Sequence, residues 1–341
     1  MRYITKGAND MIFKNIDIHG CAEIEQLPNG AYATLRVPSH VNEHLSPAGK
    51  IRTTHCTGIE YRFVLKSDSV TLRFGFEDSE RCEVTVFHGD IIADWPETTK
   101  FAEGVCEIKI IQSKNIDTLR KLAKNGSHRF SPDVVRLMFE GPRPKLLEVI
   151  GDIEAPSEDM YPKRKYLAYG SSITHGSISL HPHYNYVERV AANLSADVTN
   201  FGYAGAACLE PEFADYIADE CEFDFATLEM GINILGIAPE DYEKRVRYFV
   251  KRIAEAHPEA KIFAIDVYYC NDDIFGGGKA ECFRAILKRV TEELALPNVI
   301  YVNGKTVLTD PTKLSSGLVH PAPEGVAEMA ENLTRIIKEN T

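Results

Sequence analysis

Near the middle of the chain stands the sequence Tyr166-Leu-Ala-Tyr-Gly-Ser-Ser-Ile-Thr-His-Gly176. Its first four residues are apolar and predict a buried β-strand, which ends at Gly170 in a tight turn that carries two adjacent serines. A serine at the carboxyl end of a parallel strand lies at the sheet edge where open α/β folds bind ligands. Taken alone, the turn is as typical of an ordinary solvated loop, so its meaning depends on the surrounding sequence.

From Tyr166 onward, apolar strands alternate with amphipathic helices. The predicted order is strand 166–169, helix 184–194, strand 197–201, helix 211–219, strand 223–230, a helix from 239, strand 261–267, helix 279–294, strand 298–302 and a helix from 323. This alternation predicts an α/β fold with a flavodoxin-like, doubly wound parallel sheet over residues 166–341.

Residues 1–150 show a different pattern, in which polar and apolar residues alternate as they do in strands with one solvated face. The predicted strands are 11–18, 32–37, 58–65, 70–76, 82–87, 105–111 and 134–139. One weakly helical stretch, 116–123, interrupts them. These residues therefore predict an all-β sandwich or jelly-roll domain, and the polar stretch 151–165, with its two prolines, predicts a linker.

The overall composition narrows the class of protein. The chain has 341 residues, a length typical of two domains, and its formal net charge is −12. Nucleic acids and anionic membranes require a basic surface, so we expect neither as a partner. No apolar run has the length of a signal peptide core or a membrane span, and the eight cysteines form no Cys-x-x-Cys pair. We expect a cytoplasmic protein without a disulfide framework, able to form oligomers, whose partner is a small molecule.

Four polar, glycine-containing segments follow the predicted strands of the α/β domain. They are Gly170-Ser-Ser-Ile-Thr174, Asn200-Phe-Gly-Tyr-Ala-Gly-Ala206, Glu229-Met-Gly-Ile-Asn-Ile-Leu235 and Ser315-Ser-Gly-Leu-Val-His-Pro-Ala-Pro-Glu-Gly325. A sheet of this type brings such segments to one edge. Together they supply a hydroxyl, a histidine and candidate oxyanion donors, which are the groups that acyl transfer requires.

In their order and in the elements that they follow, these four segments resemble those of the SGNH (GDSL-like) hydrolases. A β-sandwich before such a domain is also similar to two-domain carbohydrate esterases that remove acetyl groups from sugars. The resemblance implies that Ser172 is the nucleophile and His320 the general base. It also implies that the backbone N–H of Ser172, that of Gly205 and the side-chain amide of Asn233 form the oxyanion hole.

Three positions depart from the family pattern. Ile234 follows Asn233, where family members often have Asp. Ser171 stands where the family usually has Asp, a mild change because serine still forms local hydrogen bonds. Gly317 stands where the family commonly has the Asp that orients the histidine. Three alternatives follow: a Ser-His dyad with a backbone carbonyl that holds the imidazole, an acid supplied by Asp310, or an impaired enzyme. We favour the dyad.

Other residues near these segments are candidates for contact with the substrate. Ser171, His175, His183 and Tyr184 adjoin the nucleophile, and Tyr268 follows the fourth strand of the sheet. The pair His181 and His183 is also typical of metal sites, but partner ligands with suitable spacing are lacking and the chemistry needs neither metal nor cofactor.

The sequence thus predicts a serine esterase that acts on acyl esters of carbohydrates, with acetyl as the expected acyl group. An acyltransferase on the same scaffold remains an alternative, because the two activities differ only in the final acceptor of the acyl group. A carbohydrate-binding protein with a decayed esterase site is a second alternative, suggested by Gly317.

Overall fold

A computed structural model describes residues 2–4, 10–76, 83–93, 104–126 and 128–341. The chain forms two compact units. The first unit comprises Met1–Ser39, Thr53–Lys163 and Ser195–Thr199, and the second comprises His40–Arg52, Arg164–Leu194 and Asn200–Thr341. Two segments therefore lie outside the units to which the sequence assigned them. Residues 40–52 belong to the second unit, where Arg52 Nε donates to the carbonyl of Ala204 at 2.8 Å. Residues 195–199 belong to the first unit, where the carboxylate of Asp197 accepts two hydrogen bonds from Arg62.

The first unit is a β-sandwich of two antiparallel sheets, as the sequence predicted. Its strands are β1 (Arg2–Ile4), β2 (Asp10–Phe13), β3 (Ile16–His19), β4 (Glu23–Gln26), β5 (Tyr32–Leu35), β6 (Glu60–Leu65), β7 (Ser69–Phe76), β8 (Glu83–His88), β9 (Ile91–Ile92), β10 (Gly104–Ile111), β11 (Val134–Glu140), β12 (Lys145–Ile150) and β13 (Ile153–Glu154). Among the described residues, one sheet has the order β1-β4-β5-β12-β7-β10. The other has the order β2-β3-β6-β11-β8-β9, and β13 pairs with β6.

Inward-facing side chains of both sheets form the core of the sandwich. Tyr61, Phe74 and Phe139 are fully buried, and their ring centroids lie 5.1–5.8 Å apart in tilted or edge-to-face contacts. Tyr61 belongs to one sheet and Phe74 to the other, so these aromatic contacts join the two sheets across the core.

The structure corrects two details of the predicted sandwich. Residues 11–18 are a hairpin rather than one strand, because Lys14 and Asn15 both have positive φ angles, 51° and 62°, that reverse the chain. The predicted linker also begins within the sandwich, since β13 pairs with β6 and Glu158–Met160 forms a short 3₁₀ helix. The sequence pattern did not predict β4 or β12.

The predicted flavodoxin-like sheet lies in the second unit, apart from residues 196–199 at the start of one strand, which belong to the first unit. Its strands, all within the described residues 164–341, are β14 (Arg164–Gly170), β15 (Ala196–Gly202), β16 (Phe225–Glu229), β17 (Lys261–Ile265) and β18 (Val299–Val302). Their order is β15-β14-β16-β17-β18, and β14, β16, β17 and β18 pair in parallel. The order reverses at β14, which is the place where such sheets bind ligands.

Helices connect the strands of the α/β sheet, and one further helix, α3, belongs to the first unit. In chain order the helices are α1 (Ser39–Asn42), α2 (Pro47–Thr53), α3 (Ile116–Asn125), α4 (Ser172–His175), α5 (Tyr186–Asn193), α6 (Pro211–Glu220), α7 (Pro239–Ala256), α8 (Asn271–Phe275), α9 (Lys279–Leu294), α10 (Gly304–Val307) and α11 (Pro323–Glu339). In α7, Tyr242, Val246 and Phe249 form an apolar face that is fully buried. No helix in the described part of the chain combines the length and apolar character needed to cross a membrane.

Candidate active site

The turn between β14 and α4 presents Ser172. Ser171 is the N-cap of α4, and its Oγ accepts a hydrogen bond from the backbone N–H of Ile173 at 3.1 Å. Ser172 is therefore the first residue of a helix, where backbone N–H groups have no partner within the helix and the helix dipole favours negative charge. The arrangement suits a nucleophile whose own N–H also binds an oxyanion.

A buried carboxyl group lies behind this turn. Glu229 Oε2 accepts hydrogen bonds from the backbone N–H of Ser171 at 2.6 Å and from Thr174 Oγ1 at 2.9 Å. Burial raises the pKa of Glu229, although these hydrogen bonds act in the opposite direction. Glu229 stands in one of the four segments, but its only signal in the sequence is an acid at the end of a buried strand.

His320 meets Ser172 directly. Its Nε2 lies 2.8 Å from Ser172 Oγ, within hydrogen-bond distance. The half-buried ring has a lowered pKa because burial disfavours the charged imidazolium. The neutral ring is the form that can accept a proton from serine, so the structure brings together a hydroxyl and a competent base.

The loop that carries His320 is held by its own backbone. Ser315 N–H donates to the carbonyl of His320, and Leu318 N–H donates to the carbonyl of Ser315, both at 2.8 Å. Leu314 and Pro321 form an antiparallel bridge at the base of the loop. Leu318 has a φ angle of 54°, which lets this short loop close.

Within the described residues, no carboxylate pairs with His320, and no charged neighbour contributes to its pKa. Gly317 is exposed and offers no side chain. Asp310 instead caps the short helix Pro311–Lys313, where its Oδ1 accepts from Thr312 N–H at 2.9 Å and from Thr312 Oγ1 at 2.6 Å. Of the three alternatives for the orienting group, this geometry favours the dyad over an acid supplied by Asp310.

Gly205 lies in the loop that follows β15. Its φ angle is 69°, and the N–H of Ala206 donates to the carbonyl of Tyr203 at 2.9 Å, which closes a turn around it. Tyr203 N–H donates to the carbonyl of Gly170 at 2.7 Å and so ties this loop to the nucleophile turn. Gly205 is exposed, and an added Cβ would meet no atom within 4 Å, so a ligand has open access to this backbone.

The amide of Asn233 has a fixed orientation. Its Oδ1 accepts the backbone N–H of Ala207 at 3.0 Å, so the assignment of oxygen and nitrogen follows from the donor. The Nδ2 group then remains as the donor that Asn233 can offer to a ligand. Because Ala207 lies two residues after Gly205, this bond also joins the two segments that carry the predicted oxyanion donors.

The residues predicted to contact substrate differ in how far they are buried. Ser171 and Tyr268 are only 1% and 2% exposed, so they support the site from behind, which corrects that prediction for both. His175 Nδ1 donates to the carbonyl of Gly202 at 2.9 Å. His183 packs on Tyr184 with centroids 4.2 Å apart, and Tyr184 is 44% exposed. Substrate contact by His175, His183 and Tyr184 stays a prediction.

The rings of His181 and His183 are parallel, with centroids 5.7 Å apart. They belong to the segment around the short helix Pro182–Tyr184, which follows α4. This stack and Tyr184 form a group of three rings.

Comparison with protein families gives one match, which covers most of the second unit. The model of the GDSL-like lipase/acylhydrolase family matches residues 168–327. This range contains all four of the polar, glycine-containing segments that follow the strands. No curated protein matches the sequence.

Solved structures share the fold of both units. A salicylyl-acyltransferase, SsfX3, from a tetracycline biosynthetic pathway is 20% identical over 97% of each chain, with a TM-score of 0.76. A putative GDSL-like lipase from Bacteroides ovatus is 16% identical over 89% of this chain and 91% of that one, with a TM-score of 0.68. A family two carbohydrate esterase from Clostridium thermocellum is 14% identical over 82% and 91% of the chains, with a TM-score of 0.56.

Proposed function

Because residues 168–327 belong to the GDSL-like lipase/acylhydrolase family, we propose that the protein is a serine esterase that removes acyl groups from carbohydrates. The hydrogen bond of 2.8 Å between Ser172 Oγ and His320 Nε2 carries the proposal. Serine alone is a weak nucleophile and needs an adjacent base, and this pair supplies both groups.

Acylation begins when Ser172 Oγ attacks the ester carbonyl carbon and its proton passes to His320 Nε2. The carbonyl oxygen becomes an oxyanion, which accepts hydrogen bonds from the N–H groups of Ser172 and Gly205 and from Asn233 Nδ2. As the C–O bond to the alcohol breaks, His320 returns the proton to the leaving oxygen. The product of this half-reaction is an acyl-enzyme on Ser172 and a free hydroxyl on the sugar.

Deacylation repeats these steps with water. His320 takes a proton from the water that attacks the acyl carbon, and the same donors hold the second oxyanion. Collapse of this intermediate releases the carboxylic acid, and the proton returns to Ser172 Oγ. In this scheme a backbone carbonyl, rather than a carboxylate, accepts the Nδ1–H of His320.

Acetylated sugars are the substrates that we propose. A β-sandwich followed by a GDSL-like domain is the arrangement shared with the carbohydrate esterase from Clostridium thermocellum, which supports a carbohydrate ester. The net charge of −12 disfavours anionic polymers and membranes as partners and leaves small neutral esters as the favoured class.

Acyl transfer to an alcohol is a second candidate function. It is favoured by the likeness to SsfX3, a salicylyl-acyltransferase, over 97% of this chain. Both reactions share the acyl-enzyme, so they differ in whether water or an alcohol attacks it. Addition of a sugar or aromatic alcohol as acceptor would then increase release of the first alcohol and yield a new ester.

The first experiment measures hydrolysis of p-nitrophenyl acetate, butyrate and octanoate by the wild type, Ser172→Ala and Ser171→Ala. We expect the wild type to cleave the acetate fastest, Ser172→Ala to lose activity, and Ser171→Ala to retain most of it, because the Ser171 hydroxyl caps α4 and contacts Glu229 but does not attack the ester. An inactive wild type that binds acetylated sugars would instead favour a carbohydrate-binding protein.

A further inference from the structure

Glu229 joins the elements that carry the predicted catalytic groups. It is the last residue of β16, 2% exposed, and lies four residues before Asn233. Its Oε2 holds the N–H of Ser171 on one side of the nucleophile and the hydroxyl of Thr174 on the other. One carboxyl oxygen therefore restrains the chain both before and after Ser172.

The peptide between Gly170 and Ser171 extends this restraint to the oxyanion hole. Its N–H binds Glu229, and its carbonyl accepts the N–H of Tyr203 at 2.7 Å, which starts the turn around Gly205. Because this peptide group is hydrogen-bonded through both its N–H and its carbonyl, it fixes the turn of Ser172 relative to the loop of Gly205. A displacement of Glu229 would thus move Ser172 and Gly205 relative to each other.

Gly170 is the residue that permits this arrangement. A Cβ at position 170 would lie 2.4 Å from Glu229 Oε2 and 2.2 Å from Thr174 Oγ1, well inside van der Waals contact. The glycine of the nucleophile turn therefore makes room for the carboxyl group.

Two buried tyrosines complete a directed chain of hydroxyl groups. Thr174 donates its proton to Glu229, so Tyr186 donates to Thr174 across 2.7 Å. Tyr268 donates in turn to Tyr186 at 3.4 Å. All three hydroxyl groups point toward Glu229, and hydrogen bonds in such a chain strengthen one another.

We propose that Glu229 is a positioning residue, which holds Ser172 and the oxyanion donors in the geometry of the transition state. The inference rests on the proposed esterase function but assigns a group that the dyad does not include. Glu229 does not touch the substrate, so its effect falls on kcat, while KM changes little.

The test compares Glu229→Gln and Glu229→Ala with the wild type in p-nitrophenyl acetate hydrolysis. We expect Glu229→Ala to lower kcat by about 10²-fold, since small displacements of reacting groups have effects of this size. Glu229→Gln keeps an acceptor oxygen without the charge, so its loss is smaller, about 10-fold. Glu188→Gln is the matched control, because Glu188 is also a buried glutamate of the second unit, 5% exposed on α5.

Two further measurements separate positioning from folding. Thermal melting should leave Glu229→Gln close to the wild type. The variant Thr174→Val removes the hydroxyl group that donates to Glu229, and in combination with Glu229→Ala it should add little to the loss from Glu229→Ala alone. Unchanged kcat in both Glu229 variants would overturn the proposal. It would also be overturned if active-site titration showed that the variants contain less active enzyme and that this alone accounts for their lower rates.

Labelling of Ser172 by a fluorophosphonate, followed by mass spectrometry, provides a test that needs no turnover. The proposal predicts slower labelling in Glu229→Ala than in the wild type and in Glu188→Gln, and equal labelling rates would overturn it. A wild type that reacts with the probe but hydrolyses no ester would contradict the proposed function, whereas the labelling rates would still decide the role of Glu229.

Discussion

The turn of Ser172 and the loop of His320 meet in one hydrogen bond, but they are held in different ways. The turn is tied to two neighbouring strands, through Glu229 on β16 and through the carbonyl of Gly170, which accepts from the segment after β15. The histidine loop is closed by hydrogen bonds between its own residues and by the bridge of Leu314 with Pro321.

This difference indicates which groups of the site are held most rigidly. Groups fixed by buried side chains keep their geometry because alternative positions would leave polar atoms unpaired. The turn of Ser172, which Glu229 holds, is of this kind, whereas His320 lacks a carboxylate partner in the described part of the chain. We infer that transition-state stabilisation comes mainly from the oxyanion hole. We also infer that His320 acts as a base because its imidazole is neutral, without help from a carboxylate.

The largest effect should come from His320 itself. His320→Ala removes the base and should lower kcat/KM on the order of 10⁴-fold in ester hydrolysis. Asp310→Ala is the matched variant on the same segment and should retain activity, because Asp310 caps Pro311–Lys313 and does not contact the imidazole. A loss in Asp310→Ala as large as that in His320→Ala would show that the dyad has an acid after all.

The next effect concerns Asn233. Asn233→Ala should lower kcat by about 10²–10³-fold with little change in KM, because this donor acts on the oxyanion rather than on the bound ester. Asn193→Ala, on the exposed side of α5, serves as the control. Steady-state kinetics on both variants test this assignment, and a change confined to KM would place Asn233 in ground-state binding instead.

Glycine substitutions probe the rigidity of the two regions. Gly170→Ala should reduce activity and destabilise the protein by about 1–3 kcal/mol, since its Cβ overlaps buried atoms of Glu229 and Thr174. Gly317→Ala should change neither, because an added Cβ meets nothing within 4 Å. Chemical denaturation and ester hydrolysis on both variants give the comparison, and similar losses at the two positions would contradict it.

The sequence predicted the α/β unit well because both faces of its sheet are covered, so that buried strands appear as apolar runs between amphipathic helices. The sandwich was harder to predict. The β2–β3 hairpin turns at Lys14 and Asn15, and lysine gives no signal for a positive φ angle. The short pairing of β13 with β6 depends on long-range contact and leaves no local pattern.

The residues of the site also differ in how well the sequence predicted them. Ser172, Gly205, Asn233 and His320 lie in segments with recognisable residues at the ends of strands, and the structure gathers Ser172 and His320 directly. Glu229 acts on the neighbouring strand because Leu228 pairs with Tyr169, which sets Glu229 beside Gly170. That register comes from sheet assembly, so a role for Glu229 was not visible in the sequence.

The smallest predicted effect, and the most specific for the histidine loop, is a shift in pH dependence. Burial lowers the pKa of His320, so the neutral base should persist, and kcat/KM should remain high, to pH values below the usual histidine pKa of about 6.5. Gly317→Asp introduces a carboxylate where the family commonly has one, and an opposite charge favours the imidazolium. The acid limb of kcat/KM should therefore move to higher pH, by up to about one unit.

The control for this shift is Gly317→Asn, which has a similar shape without the charge and should leave the limb in place. Both side chains enter open space, so neither should disturb the fold. If Gly317→Asp and Gly317→Asn gave the same pH profile as the wild type, the loop would hold His320 too far from position 317 for a carboxylate to act. The backbone alone would then orient the base. The loop of His320 would differ from the turn of Ser172 in having no side chain that holds it in place.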